Sequence, residues 1–224
     1  MVGLSVGPFA TNCWILPTDM GANDRRGPCI LVDPGADAAN ILALLDEGAL
    51  VPILIACTHG HLDHTSGIPA LVAAFAARHI MVPIAIHALD RDYLGSTGKE
   101  KNLSLFKTIS ADFYFEELWS PLPEADRCFE EGERLASSPW SVIHCPGHSS
   151  GSVSFYHEAA GLLVSGDTLF RNGVGRTDGP DSDRRLLYES ITKKLFALPS
   201  DTKVFTGHGA ATTIGREKLQ FRDD

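Results

Sequence analysis

Thr58-His59-Gly60-His61-Leu62-Asp63-His64 directly follows the apolar run Val51-Pro52-Ile53-Leu54-Ile55-Ala56-Cys57. The apolar run is short and rich in β-branched residues, which predicts a strand buried on both faces. Ser66 is a good N-cap and Pro69 would stand in the first turn, so a helix is predicted over Ser66–Ala77. Three imidazoles and one carboxylate therefore follow the carboxyl end of a core strand, where open α/β folds place their sites.

This polar heptapeptide is interpreted as a metal-binding loop. Imidazole and carboxylate form a ligand set suited to zinc, iron or manganese. The alternative is a polar loop whose histidines only hydrogen-bond or face water, but four candidate ligands within six residues favour a metal. His59 and His61 point the same way in an extended segment, because side chains alternate with a period of two. Asp63 and His64 lie on the turn that enters the helix and can face a neighbouring position, so the loop can serve two ions.

Length and composition exclude several classes of protein. The chain has 224 residues, no obvious repeat and no linker, so we expect a single domain over residues 1–224. A formal charge of −9 argues against nucleic acid as the main partner. The sequence lacks both an apolar membrane span and a secretory signal, so no membrane partner and a cytoplasmic location are expected. The five cysteines are scattered, which predicts reduced, buried thiols.

Three further polar loops each follow a predicted strand. Trp140–His144 leads into a Gly- and Pro-containing loop with two histidines; we favour His148 as the ligand and interpret His144 as structural. A predicted hairpin of Val153–Tyr156 with Gly161–Ser165 leads into Gly166-Asp167, and Asp167 could bridge two ions. The last strand, Lys203–Thr206, leads to His208, whose flanking glycines allow close backbone approach. The four loops together carry seven potential ligands, which suits a two-metal site.

The remaining polar residues are interpreted mainly as turn, cap or ion-pair residues. Asp33 is predicted to be a turn or cap residue, or else a hydrogen-bond partner of a ligand histidine. His87 is interpreted as a structural or capping histidine, and Arg176 is close enough in sequence to pair with Asp178. Loops are predicted over Asp19–Gly27 and Gly95–Lys101, and residues 103–119 receive no assignment. A helix is predicted over Asp183–Ala197, with Asp181 or Ser182 as its cap.

The four loops, in this order, resemble those of the metallo-β-lactamase fold superfamily. Within it the chain is similar to glyoxalase II, a hydroxyacylglutathione hydrolase, in its short bacterial form. The motifs that carry this closer resemblance are Gly166-Asp167-Thr168-Leu169-Phe170, Gly175-Arg176-Thr177-Asp178 and Gly207-His208-Gly209 with Thr212-Thr213-Ile214-Gly215.

The resemblance implies a fold and a metal centre. The fold would be α/β, a four-layer αββα sandwich of two mixed β-sheets. One metal would be held by His59, His61 and His148, and the second by Asp63, His64 and His208. Asp167 and a hydroxide would be shared between them. The cofactors would be two divalent metal ions, zinc first, with iron or manganese as alternatives.

The resemblance also implies an activity. The substrate would be a small-molecule thioester, S-2-hydroxyacylglutathione such as S-lactoylglutathione, attacked by the metal-bridging hydroxide. Asp63 and Asp167 would be catalytic, and Arg176 would bind a substrate carboxylate or else pair with Asp178. Larger glyoxalase II enzymes add a carboxyl-terminal region for glutathione, and most of it is absent here.

Other members of the superfamily supply the alternatives. A persulfide dioxygenase would hold one iron on His59, His148 and Asp167, and a lactonase would share the metals but differ in the pocket. A β-lactamase is disfavoured because those enzymes place another residue where Asp167 stands. A degenerate binding module would lack ligands, and none is missing.

Overall fold

The computed structural model describes residues 1–18 and 27–221, and its strands form two mixed sheets and a short ribbon. The first sheet, in both sequence and spatial order, consists of β1 (Val2–Val6), β2 (Thr11–Pro17), β3 (Gly27–Val32), β4 (Leu50–Ala56), β5 (Ile84–His87) and β6 (Arg127–Phe129). Strands β1 to β3 pair antiparallel, and β3 to β6 pair parallel. The predicted loop over Asp19–Gly27 lies outside the described residues except for Gly27, which begins β3.

The later strands build the second sheet and the ribbon. They are β7 (Trp140–His144), β8 (Val153–His157), β9 (Leu162–Gly166), β10 (Leu169–Phe170), β11 (Gly173–Val174), β12 (Lys203–Thr206) and β13 (Thr212–Thr213). The sheet order is β13-β12-β9-β8-β7, with β12 and β9 parallel and the other pairs antiparallel. Strands β10 and β11 form the ribbon. The predicted hairpin is confirmed as β8 and β9.

Three apolar layers show how the sheets and helices stack. The helices are α1 (Ala38–Glu47), α2 (Leu62–Thr65), α3 (Ile68–Ala77), α4 (Gly98–Thr108), α5 (Phe115–Leu118), α6 (Arg184–Glu189) and α7 (Ile214–Gln220). In β3, Ile30 and Val32 pack toward the second sheet, whereas Cys29 and Leu31 pack toward α1 and α3. This alternation places one apolar layer between the sheets and one under the helices on each outer face. The fold is thus a four-layer αββα sandwich. None of the helices in the described ranges has the length and apolarity that crossing a bilayer requires.

Three local predictions differ from the structure. The helix predicted from Ser66 begins at Ile68, because Ser66 Oγ donates to the carbonyl of Gly35 instead of capping the helix. Residues Gly95–Lys101 are not an open loop: they contain a 3₁₀ turn and the first turn of α4. The helix after the Asp167 loop is capped by Asp183, whose Oδ1 accepts from the Leu186 N–H, rather than by Asp181 or Ser182. That helix continues through a π-helical turn and a 3₁₀ turn to Ala197.

The cysteines are free thiols, as predicted, and four of the five are buried. Burial raises the pKa of Cys13 and Cys57 well above the usual thiol value, and Asp33 adds to the rise in both cases. Burial also raises the pKa of Cys29 and Cys145 to about 12. These four side chains therefore behave as small apolar core residues.

Candidate metal centre

All seven predicted ligand side chains meet at one end of the sandwich; five lie in loops that follow strands, and Asp63 and His64 lie in the short helix α2. His59, His61 and His148 form one group, and Asp63, His64 and His208 form another. In each group the ligand atoms lie within 4.8 Å of one another. His61 Nδ1 is 3.0 Å from His148 Nε2, and His64 Nε2 is 3.2 Å from His208 Nε2. The structure thus brings together residues up to 149 positions apart, counted from His59 to His208.

Asp167 lies between the two groups. Its Oδ1 is 3.5 Å from His64 Nε2, and its Oδ2 is 3.6 Å from His148 Nε2 and 3.4 Å from His208 Nε2. The carboxylate fits closely because Gly207 lies behind it: a Cβ on Gly207 would collide with Asp167 Oδ1. The close approach predicted from the glycines beside His208 is therefore present, and Asp167 is placed where it can contact both groups.

Hydrogen bonds at the outer nitrogens orient four of the five imidazoles. Nδ1 of His148 donates to the carbonyl of Arg176 at 2.9 Å, and Nδ1 of His208 donates to the carbonyl of Phe9 at 3.0 Å. Nδ1 of His64 and His59 donate to Asp33 Oδ2 and Thr58 Oγ1, each at 3.0 Å. In every case Nδ1 donates to an outer acceptor, so Nε2 is the nitrogen that faces the centre.

Asp33 supports this arrangement, and of its two interpretations the hydrogen bond to a candidate ligand histidine agrees with the structure. Its carboxylate accepts from the N–H of Thr58 at 2.7 Å, from Thr58 Oγ1 at 2.6 Å and from His64 Nδ1. The backbone of Asp33 has a φ of +49°, in the left-handed region that a non-glycine residue enters rarely. Although Asp33 also lies within 4.8 Å of His59 and His64 ligand atoms, both of its oxygens are already engaged. We therefore assign it to orientation rather than to ligation.

Two buried polar atoms of the centre lack a hydrogen-bond partner, namely His59 Nε2 and Asp167 Oδ1. A buried polar atom without a partner costs about 1–3 kcal/mol, so such atoms call for an explanation. Both atoms point into the space shared by the two groups, and imidazole nitrogen and carboxylate oxygen are ligands for divalent transition metals. The residues therefore fit a metal centre.

Burial and charge divide the imidazoles into two kinds. Burial lowers the pKa of His59 and His61 well below the usual value, and the neighbouring imidazoles lower it further. For His64, burial acts in the same direction, but the carboxylates of Asp167 and Asp63 outweigh it and hold the pKa well above the usual value. The same carboxylates raise the pKa of His208 to about 10 despite burial. With these raised pKa values, His64 and His208 carry an extra proton at neutral pH when no metal is bound. A cation placed among the carboxylates replaces the charge of these protons, so metal binding releases them.

Asp90 is a supporting residue that the sequence analysis missed. Its buried carboxylate accepts from the N–H of Gly60 at 3.0 Å, the N–H of Gly151 at 2.7 Å and Ser149 Oγ at 2.7 Å. Gly60 lies between two candidate ligands, and Ser149 follows His148. A single carboxylate thus ties the first ligand loop to the second. No local pattern marks it, because its partners lie 30 to 61 positions away.

Arg176 lies beside the centre and is already paired. A cavity of about 170 Å³ opens on the metal centre and is lined partly by Arg176, Asp178 and Gly179. The guanidinium donates to both oxygens of Asp178, at 3.0 and 2.7 Å, and each side chain is 59% exposed. The ion pair anticipated from the sequence is therefore formed at the mouth of the cavity.

The two histidines interpreted as structural lie apart from the seven ligands. The rings of His87 and His144 stack at 4.0 Å with an interplanar angle of 13°. His87 caps the following 3₁₀ turn, because its Nδ1 accepts from the N–H of Leu89. Nε2 of His144 donates to the carbonyl of Ser150 at 3.0 Å. The choice of His148 over His144 as a member of the cluster agrees with this geometry.

Known proteins share both the sequence pattern and the fold. The family model described as "Metallo-beta-lactamase superfamily" matches residues 6–208. A Haemophilus influenzae protein named "Hydroxyacylglutathione hydrolase GloC" is 32% identical over 221 residues, which cover 96% of this chain and 93% of that protein.

Two solved structures are similar along nearly the whole chain. The crystal structure of BLEG-1 B3 metallo-beta-lactamase superposes with a TM-score of 0.82 at 33% identity and covers 97% of this chain and 96% of its own. TTHA1623 in a di-iron-bound form gives a TM-score of 0.78 at 34% identity, with 98% of each chain covered. Because the family match spans all four ligand-bearing loops and the architecture agrees, this chain belongs to the metallo-β-lactamase superfamily of metallo-hydrolases.

Proposed function

We propose that this chain is a metal-dependent thioester hydrolase that acts on S-2-hydroxyacylglutathione, with S-lactoylglutathione as the first candidate. The observation that carries the proposal is the convergence of seven imidazole and carboxylate side chains, in which two buried atoms, His59 Nε2 and Asp167 Oδ1, lack a hydrogen-bond partner. The 32% identity to a protein named a hydroxyacylglutathione hydrolase supports the substrate class.

Each side chain has a role in this proposal. His59, His61 and His148 would hold one divalent metal ion, and Asp63, His64 and His208 would hold the other. Asp167 would contact both, since its oxygens lie 3.4–3.6 Å from nitrogens of both groups. Zinc is the first candidate because imidazole and carboxylate are its usual ligands. Iron is the second candidate because a similar structure is of a di-iron-bound form.

The chemistry of the reaction divides between the metal ions and the protein. Bound divalent ions would lower the pKa of a water and polarise a carbonyl oxygen. Asp63 lines the cavity, and as a metal ligand its carboxylate would be anionic at neutral pH. It can therefore orient the attacking water by accepting one of its hydrogen bonds. The leaving thiolate needs little acid assistance, because an ordinary thiol has a pKa of about 8.5.

Arg176 is the candidate for contact with the thiol part of the substrate. Its position at the cavity lining supports this role. Because Asp178 already accepts from two of its nitrogens, a glutathione carboxylate would have to compete with Asp178 for the guanidinium.

The proposal is tested on purified protein whose metal content is measured by mass spectrometry. We expect about two metal ions per chain, hydrolysis of S-lactoylglutathione, loss of activity with a chelator and its return with added metal. One iron per chain with oxygen uptake on glutathione persulfide would instead identify a persulfide dioxygenase. Turnover of a homoserine lactone or of a β-lactam, without thioester turnover, would also overturn the proposal.

A further inference from the structure

Five apolar side chains line the cavity together with residues of the metal centre. We call these five the apolar wall; they are Phe9, Leu105, Phe106, Ile109 and Phe170. Leu105 and Phe106 are buried in α4, while the other three are half-buried and line the opening. An exposed apolar surface beside a reactive centre is a recognition surface for an apolar part of the ligand.

The apolar wall is held in place by contacts behind it. The ring of Phe9 packs edge-on against Phe106 at 6.0 Å and against Tyr114 at 5.1 Å. Lys101 of α4 pairs with Asp181 at 2.8 Å, which ties the helix to the segment after Arg176. These contacts support the wall, and a surface held in one arrangement lowers the entropy cost of binding.

Beyond the metal centre, the cavity has no unpaired cationic side chain for an anionic acyl group. Bound divalent ions would outweigh the charge of Asp63 and Asp167, and Arg176 is the one arginine or lysine among the lining residues that the structure describes. That guanidinium is already neutralised by Asp178. An acyl chain ending in a carboxylate would find no unpaired arginine or lysine at the wall, whereas an uncharged chain needs no such partner.

The size of the cavity limits what can fill it. A volume of about 170 Å³ is close to that of an engineered apolar cavity of about 150 Å³ that binds benzene, a six-carbon ligand. A glutathione moiety is too large for this space, so the thiol carrier must remain at the mouth. The carbonyl has to reach the metal centre, and the group attached to its carbon then lies against the wall.

We infer that the apolar wall binds an uncharged acyl chain of about four to six carbons in the thioester substrate. This inference rests on the proposed thioester hydrolysis and narrows it, because a lactoyl group of three carbons fills only part of the cavity. Phe9, Ile109 and Phe170 would determine the chain-length specificity of the enzyme.

The test uses thioesters of one small neutral thiol, N-acetylcysteamine, that carry acetyl, butanoyl, hexanoyl and decanoyl groups. With the metal-loaded protein, kcat/KM should rise about fourfold for each added methylene up to hexanoyl and then level off. A second readout is calorimetric binding of the matching ketones, in which a methylene replaces the sulfur, and their affinities should follow the same order.

Two variants probe the apolar wall directly. Ile109→Ala and Phe170→Ala should each reduce the ratio of hexanoyl to acetyl kcat/KM by about tenfold. Leu219→Ala is the control: Leu219 is 86% exposed and does not line the cavity, so this variant should keep the wild-type ratio.

The outcomes separate the two proposals. Hydrolysis of all four thioesters with no length preference, or variants with an unchanged ratio, would overturn the inference and leave the thioesterase proposal standing. If a protein carrying two metals hydrolyses no thioester, the proposed function fails. Ketone binding then decides the role of the wall: equal affinities for short and long ketones would refute it.

Discussion

Nδ1 of His64 donates a 3.0 Å hydrogen bond to Oδ2 of Asp33, and both side chains are buried. The same carboxylate accepts from Thr58 Oγ1, which in turn contacts Nδ1 of His59. Asp33 therefore orients one imidazole of each candidate metal group without being a ligand itself.

Replacing Asp33 by Asn should weaken metal binding. The amide cannot accept from all of these donors, so the tautomers and ring orientations of His64 and His59 lose their support. We expect metal affinity to fall about 10- to 100-fold, as measured by competition with a chromophoric chelator. Asp46→Asn is the control, since Asp46 is exposed and pairs with Arg78 on the surface. An Asp33→Asn variant with wild-type affinity would contradict the orienting role.

Replacing Asp90 by Asn should loosen both ligand loops at once. The amide NH₂ would face backbone N–H donors that the carboxylate now satisfies, and the loss should be about 1–3 kcal/mol of unfolding free energy. Urea denaturation in the presence of a chelator measures it without a contribution from metal. Asp92→Asn, an exposed change in the same 3₁₀ turn, should leave the free energy of unfolding within about 0.5 kcal/mol of the wild-type value. Equal midpoints for the two variants would show that Asp90 does not tie the loops together.

Asp167→Ala should reduce metal content and turnover together. The carboxylate is the side chain that lies near nitrogens of both groups, so its removal takes a ligand from each proposed ion. Metal content by mass spectrometry and thioester turnover are measured on the same sample. Full activity in this variant would refute the bridging role.

The two histidines of the second ligand loop should respond differently to alanine. His148 belongs to the ligand cluster, whereas His144 stacks on His87 and bonds to the Ser150 carbonyl. We expect His148→Ala to lower metal content and activity far more than His144→Ala. The reverse order would mean that the wrong histidine was assigned to the centre.

His87 should make the protein less stable in mild acid. Burial and, to a smaller extent, the stacked His144 together lower its pKa from 6.5 to about 4. The unfolded chain binds the proton near pH 6.5 and the folded chain only near pH 4, so the stabilisation is complete above pH 6.5. It is lost as the pH falls through this window.

The test compares wild type with His87→Asn, which retains a side-chain acceptor for the Leu89 N–H. Without the imidazole, the variant should lose about 1 kcal/mol less stability between pH 7 and pH 5, allowing for solvent screening of a half-buried group. Both proteins are unfolded with urea in chelator at each pH. Parallel pH profiles would show that His87 contributes nothing to acid sensitivity.

The candidate site was largely predictable because its chemistry follows local pattern. His59, His148, Asp167 and His208 all stand in loops just after strands, and their strands are marked by apolar, β-branched runs. The carboxyl ends of neighbouring strands meet at one end of a sandwich, so a strand-then-polar-loop pattern predicts convergence. The αββα layering itself came from the resemblance, since the strand pattern alone does not say which strands share a sheet.

What could not be predicted depends on contacts between distant residues. Ser66 has the composition of an N-cap, but the Gly35 carbonyl, 31 positions away, accepts from its hydroxyl. Asp90 has no local signature because its partners come from two other loops. Helix α4 carries charged residues without a clean amphipathic period, and its first turn is tied to the preceding chain by Asn102 Nδ2, which donates to the carbonyls of Tyr93 and Gly98.

The burial of Cys13, Cys29, Cys57 and Cys145 has a consequence for an enzyme whose proposed product is a free thiol. Mixed disulfides form through an accessible thiolate, and these four side chains are neither ionised at neutral pH nor reachable from solvent. The core is thereby protected from S-thiolation by the small thiols that hydrolysis would release around it.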